Sequence, residues 1–147
     1  MRSAARVVYL VFGVVALLGC APAADGAARS TDEAGLQGTW RLSGYEVWDE
    51  RGQRQAAGGT TAGYLVLDAT GHAFVQLLSA EGTDFGAYFG TYTVDSEAAL
   101  LRIEVEGSNI PDYRGSTQIR PYHLAGNILV LGVEGEYRAI FRRVARR

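Results

Sequence analysis

The stretch Gly38-Thr39-Trp40-Arg41-Leu42 decides how the rest of this chain reads. Gly38 lets the backbone enter a strand tightly, and Trp40 places a large ring at one end of a sheet. Gly-x-Trp arises by chance, so its weight depends on the residues after Leu42. From Gly38 onward the apolar residues recur with a period of two, and Gly, Asp and Asn punctuate them at short intervals. Strands are predicted over residues 38–48, 61–68, 72–79, 88–95, 100–106, 116–124, 128–133 and 136–144. No amphipathic helix of useful length separates them. Such short connections require antiparallel neighbours, because parallel pairs need long crossovers. Eight strands in sequence order favour a closed, up-and-down antiparallel barrel, which leaves no exposed edge. A two-sheet sandwich is the structural rival, and the even hairpin spacing argues against it.

The chain before Gly38 has a different character. Arg2 and Arg6 precede a continuous apolar run over residues 7–18, followed by small residues. Charge, length and order are those of an export signal over residues 1–19, too short for a comfortable membrane span. Leu17-Leu18-Gly19-Cys20 resembles the lipobox of bacterial lipoproteins, in which the Cys is acylated and becomes the first mature residue. The alternative is an ordinary signal peptide with an incidental Cys. Cys20 is the single Cys of the chain, so no intrachain disulfide can form and the core alone holds the fold. Ala21 rather than Asp after the Cys resembles the pattern passed on to the outer membrane in Gram-negative cells, and several acyl chains anchor stably. Residues 20–37, rich in Ala, Gly and acidic residues, read as a flexible tether with room for a helical turn over 32–36. The barrel domain is expected over 38–147.

Removing residues 1–19 leaves 12 basic residues, all Arg, against 16 acidic ones. No basic face suggests nucleic acid. Arg142, Arg143, Arg146 and Arg147 read as a solvated strand end, with contact to anionic lipid as the sharper alternative.

Alternation assigns the inner face in several strands. Leu101, Ile103 and Val105 alternate with Arg102, Glu104 and Glu106, so the apolar set points inward. Tyr137, Ala139 and Phe141 form the inner row of the last strand, and Tyr88, Gly90, Tyr92 and Val94 that of the fourth. In the third strand Ala73, Val75 and Leu77 are taken as inner. The first strand puts Trp40, Leu42, Gly44, Glu46 and Trp48 on one face. A charge there means either that Glu46 lies at an open mouth or that a bulge shifts the register. In the sixth strand neither Gln118-Arg120-Tyr122 nor Ile119-Pro121-His123 is a clean apolar row, and periodicity leaves the choice open.

The order of residues is also familiar. The run from Gly38 to Glu46, Gly63-Tyr64-Leu65, Gly71, Ala87-Tyr88-Phe89-Gly90-Thr91-Tyr92-Thr93-Val94-Asp95 and Val105-Glu106-Gly107-Ser108-Asn109-Ile110-Pro111 together resemble the bacterial lipocalin-like domain family. Gly115, Gln118, Arg120, Tyr122, Leu124, Gly126-Asn127 and Leu129 continue the likeness, so it spans roughly residues 38–143. The resemblance implies a lipocalin-type barrel with Gly38 and Trp40 at its closed end and a C-terminal Arg, Arg143 or Arg142, stacked over the Trp40 ring. It implies too that Gln118, Arg120 and Tyr122 face the interior. Two features depart from the family: the partly helical insertion usual before the Tyr-Phe-Gly-Thr-Tyr strand is reduced to about residues 80–86, and the position of a His often found in the fifth strand is Ile103.

An Arg inside a barrel must be paired or must meet a ligand anion, because an unpaired buried charge is very costly. Glu46 is a candidate internal partner. Tyr88, Tyr92 and Tyr122 supply hydroxyl donors on an otherwise apolar wall. The functional reading is a small hydrophobic or amphipathic ligand whose carboxylate or other polar head is bound by Arg120 and whose body lies against Trp48, Leu65, Val75, Leu77 and Leu131. The blander reading is a structural Arg–Glu–Tyr network in a filled barrel, with the outer surface acting as a non-catalytic interaction module of the cell envelope. A third is a small-molecule-transforming enzyme using Arg120 and a Tyr. His72 and His123 are too few for a metal site, and no nucleophile motif or phosphate-cradling loop is present. No cofactor, metal or nucleic-acid partner is expected; the expected partners are the ligand and, through Cys20, a membrane.

Overall fold

The computed structural model describes residues 31–56, 62–79 and 85–145. The export signal, Cys20 and the first part of the tether lie outside these residues. A short helix α1 (Thr31–Leu36) precedes β1 (Gly38–Trp48), β2 (Arg54–Ala56), β3 (Ala62–Leu67), β4 (His72–Leu78), β5 (Phe85–Asp95) and β6 (Leu100–Ser108). A 3-10 turn (Pro111–Tyr113) then leads to β7 (Thr117–Ala125), β8 (Ile128–Val133) and β9 (Tyr137–Arg143). Every pairing is antiparallel, and β1 also pairs with β9, from Trp40↔Arg143 to Val47↔Tyr137, so one sheet closes on itself as an eight-stranded barrel. The sandwich is thereby ruled out. The ninth strand, β2, lies in a connection to which alternation assigns no strand. It pairs with the far half of β1, Glu46↔Ala56 to Trp48↔Arg54, while β3 pairs with the near half, Gly38↔Leu67 to Arg41↔Tyr64.

The barrel is shut where β1 begins. Trp40 is fully buried, and its Nε1–H donates to the Leu36 carbonyl at 2.8 Å. The Arg143 guanidinium lies over the ring, 4.0 Å from its centroid. It donates to the Gln37 carbonyl at 2.6 Å and to the Gly35 carbonyl. A helix this short has little stability of its own. Its carbonyl end is held by a cation that both satisfies unpaired C=O groups and complements their partial negative charge. Gly38 makes this possible: its φ is +137°, and a Cβ there would lie 2.8 Å from Arg143 Nη1. Of the two candidate arginines it is Arg143 that stacks, while Arg142 is exposed. Leu36 is fully buried in the core, so the packed domain takes in residues that composition alone assigned to the tether. Alternation could not show this, because the anchor is a single apolar side chain on a one-turn helix.

The inner rows of β4, β5, β6 and β9 follow the alternation. Leu101, Ile103 and Val105 are buried, as are Ala73, Val75, Tyr92, Ala139 and Phe141. In β7 the interior takes Gln118, Arg120, Tyr122 and Leu124, and Thr117, Ile119 and His123 are exposed.

In β1 the register against β9 slips between Leu42 and Gly44. Ser43 is the extra residue, its hydroxyl donating to the Ile140 carbonyl at 3.1 Å. Before this bulge Trp40 and Leu42 point inward; beyond it Tyr45 does, and Glu46 turns out. Glu46 meets Arg54 at 3.3 Å and Arg138 at 3.6 Å on the two neighbouring strands. It is therefore not the internal partner of Arg120. Trp48 shares the outward side with Glu46 by alternation, so both leave the predicted ligand site.

Candidate functional site

At the end of the barrel away from α1 the interior holds a cavity of about 250 Å³. Leu65, Val75, Leu131, Ala139 and Phe141 form its apolar wall; Leu77, Gly86 and Ile110 lie towards the mouth. Its polar side is one cation among phenols: Arg120 with Tyr45, Tyr88, Tyr113 and Tyr137. They come from β7, β1, β5, the 3-10 turn and β9, so barrel closure assembles the cluster.

Arg120 Nη2 donates to Gln118 Oε1 at 2.6 Å and to the Tyr113 hydroxyl at 3.4 Å. Its guanidinium carbon lies 5.7 Å from the Tyr137 ring centroid, a cation–π distance. The hydroxyls of Tyr88 and Tyr137 also lie against it. Tyr45 and Tyr137 stack with centroids 6.2 Å apart, and Tyr88 meets Tyr113 edge-on at 5.4 Å. Among the described residues no carboxylate faces Arg120.

Burial pushes the phenols of Tyr45, Tyr88 and Tyr137 above their ordinary pKa, against the opposing pull of Arg120. For Arg120 burial works to lower the pKa, but the surrounding tyrosines, Tyr88 first, outweigh it and hold the value above normal. Near neutrality the site is therefore a cation surrounded by neutral hydroxyls. This has a consequence for stability. An unfolded phenol loses its proton near pH 10, before the folded one does, so the folded state binds more protons above that pH. The stabilisation from burying neutral phenols is complete below about pH 10 and is lost as pH rises through the folded values. The chain has no Lys, so tyrosines dominate this window. Urea midpoints measured from pH 8 to about pH 11.5 should fall steeply at the alkaline end for the wild type, and less so for Tyr88→Phe or Tyr137→Phe.

The turn that carries Ile110 and Tyr113 is built by the residues after β6. Asn109 acts as a short piece of strand, its Oδ1 accepting from Ala87 N at 2.7 Å and its Nδ2 donating to the Phe85 carbonyl. Ser108 Oγ donates to the Ala87 carbonyl at 2.9 Å and accepts from Ile110 N at 2.9 Å. Arg114 Nε donates to the Ser108 carbonyl at 2.8 Å. From Tyr113 a chain of bonds runs back to the cation. Ser116 Oγ donates to the Tyr113 carbonyl at 2.8 Å, Gln118 Nε2 donates to Ser116 Oγ at 2.7 Å, and Gln118 Oε1 accepts from Arg120. Gln118 thus positions the guanidinium.

Of the residues expected to bind ligand, Arg120, Tyr88, Leu65, Val75, Leu77 and Leu131 come together at the cavity. Tyr122 packs against the core without reaching it. Tyr92 is buried at the closed end, its hydroxyl donating to the Asp68 carbonyl at 2.9 Å, where it braces the β3–β4 turn. Glu46 and Trp48 are outside. The expectation lacked Tyr45, Tyr137, Tyr113 and Ile110. Tyr137 was already legible as an inner residue of β9. Tyr45 was hidden by the bulge at Ser43, and Ile110 and Tyr113 lie in a connection where alternation carries no information.

No curated protein matches the chain. Residues 81–139 match the family model of the lipocalin-like domain. The match runs from before β5 into β9 and includes Ile110 and Leu131 together with Tyr88, Tyr113, Arg120 and Tyr137, the polar side of the cavity apart from Tyr45. Together with the closed eight-stranded barrel, it supports the lipocalin-like family for this chain.

Proposed function

We propose that this protein is an exported, lipid-anchored binding protein of the bacterial envelope whose barrel holds a small amphipathic molecule. The observation that carries the reading is the cavity of about 250 Å³, apolar on one side and polar on the other, inside a barrel shut at one end. Eight-stranded barrels are either filled by side chains or hold one small ligand, and the void favours the second over the filled interaction module. Small-molecule sites combine apolar walls with a few convergent polar groups in this way. The anchor rests on the apolar run and the Leu17-Leu18-Gly19-Cys20 motif. Residues 21–30, fully extended, reach at most ~35 Å, which would keep the barrel close to the membrane. In a Gram-negative cell, Ala21 points to the periplasmic face of the outer membrane. No chemical step is assigned: the cavity's described residues include no carboxylate, imidazole or thiol, and buried neutral phenols are poor bases.

Native mass spectrometry of the full lipoprotein, released from a mild detergent, tests both halves. The expected result is a chain lacking residues 1–19 and carrying acyl mass at Cys20, lost in Cys20→Ser, with a small molecule bound one to one. Ala139→Phe, which pushes a ring into the void, should lose that molecule and keep the acyl mass. An unprocessed chain would overturn the anchor. A barrel that arrives empty, and stays empty when incubated with a cell extract, would overturn the binding.

A further inference from the structure

We propose, resting on the reading of the cavity as a ligand site, that the barrel selects anions: its ligand is a small monocarboxylic acid whose carboxylate sits at Arg120 among the hydroxyls of Tyr88, Tyr113 and Tyr137. Donors and acceptors do not balance in this cluster. A guanidinium carries five N–H donors and no acceptor. Around Arg120 the acceptors are Gln118 Oε1 and phenol oxygens. A phenol that accepts from Arg120 keeps its own O–H to donate, and among the described residues no acceptor takes the hydroxyl hydrogens of Tyr45, Tyr88, Tyr113 or Tyr137. The cluster therefore has an excess of donors and one uncompensated positive charge.

Among the described residues no carboxylate supplies the missing partner. Glu46, the carboxylate nearest along β1, is turned outward by the bulge and held by Arg54 and Arg138. A carboxylate brings two oxygens with about four lone-pair sites and one negative charge, which matches both deficits. A neutral amide brings one oxygen, two further donors and no charge; an ammonium would face a like charge. Charge-assisted bonds from Arg are about twice as strong as neutral ones, so the discrimination should be large.

The void limits the rest of the molecule. At a water's ~30 Å³ apiece, about eight non-hydrogen atoms fit, and somewhat more when covalently joined. The wall opposite the head, Leu65, Val75 and Leu131, is apolar. The ligand class is thus a short alkanoic or single-ring aromatic acid, its apolar body against that wall. A long-chain lipid would have most of its length outside.

The test compares acids with their neutral, isosteric amides. The full lipoprotein in lipid nanodiscs is titrated calorimetrically with benzoate, benzamide, hexanoate and hexanamide, with empty nanodiscs as the blank. The expected result is at least about tenfold tighter binding of each acid than of its amide, a difference that shrinks as salt is raised. In Arg120→Met the acid should weaken to the level of the amide while the amide is little changed. Should Arg120→Met not fold, the double variant Tyr88→Phe Tyr113→Phe keeps the volume and removes two donors, and should weaken the acids alone. Acid and amide binding the wild type equally would overturn the anion proposal and leave the cavity reading intact. Binding of none of the four would overturn both. Unchanged acid binding in a folded Arg120→Met would remove the carboxylate from Arg120.

Discussion

Trp40→Ala is expected to cost the domain about 3–5 kcal/mol, the range for emptying a buried aromatic site. Small domains have about 5–15 kcal/mol in total, so the variant should be largely unfolded in mild urea. The ring is fully buried against Leu36 and the core, its Nε1–H satisfies the Leu36 carbonyl, and its face carries the Arg143 guanidinium. Removing it detaches α1, opens a void at the closed end and leaves Arg143 with carbonyls but no platform. Trp48→Ala is the control. That side chain lies on the outward, partly exposed half of β1, and its loss should cost less than half as much. Urea midpoints followed by circular dichroism separate the two, and equal costs would mean that the closed end is not where the fold is anchored.

Gly90→Ala is the second large effect, and its cause is backbone. A Cβ at Gly90 would lie 1.8 Å from the Glu104 carbonyl oxygen and 2.9 Å from its carbon. The register of β5 against β6 slips there, from Phe89↔Gly107 to Gly90↔Val105, leaving Glu106 as the extra residue. This bulge presses β6 onto β5, and an added methyl can be housed only by separating the two strands. The cost should reach or exceed the ~1–3 kcal/mol typical of overpacking. Because Ser108 and Asn109 pin the cavity turn from the end of β6, ligand affinity should fall as well. Gly115→Ala, where φ is +69° but no atom lies within 4 Å of a Cβ, should lose only the ~1–2 kcal/mol of a left-handed backbone. A soluble Gly90→Ala protein with the wild-type melting temperature would contradict the close approach.

These two positions also show what could and could not be read from residues. Alternation in Leu101-Arg102-Ile103-Glu104-Val105 is unambiguous because one face meets a dry core and the other water, and strand pairing follows from the short turns. Gly38 and Trp40 could be read from the residues only as a large ring at one end of a sheet, and it was the resemblance that made that end the closed one. Alternation fails where one residue is inserted. Ser43 inverts the outer half of β1, so Tyr45 enters the cavity and Glu46 and Trp48 leave it. Arg120 was placed inside by resemblance rather than by period, since its row mixes Gln, Arg and Tyr. Its true surroundings depend on a turn at residues 109–116 that has no period. The Asn109 side chain imitates backbone there, and nothing in a strand pattern announces that.

The central claim is that the barrel interior, and no other surface, receives the ligand. Backbone and methyl NMR of the isotope-labelled protein, titrated with benzoate, tests it most directly. The account predicts shifts at Gly86, Ile110, Leu131 and Ala139 around the cavity, with Asp68 and Gly126 at the closed end and Phe74 on the outer wall unmoved. Shifts confined to the outer wall or the closed end, with the cavity residues silent, would contradict it.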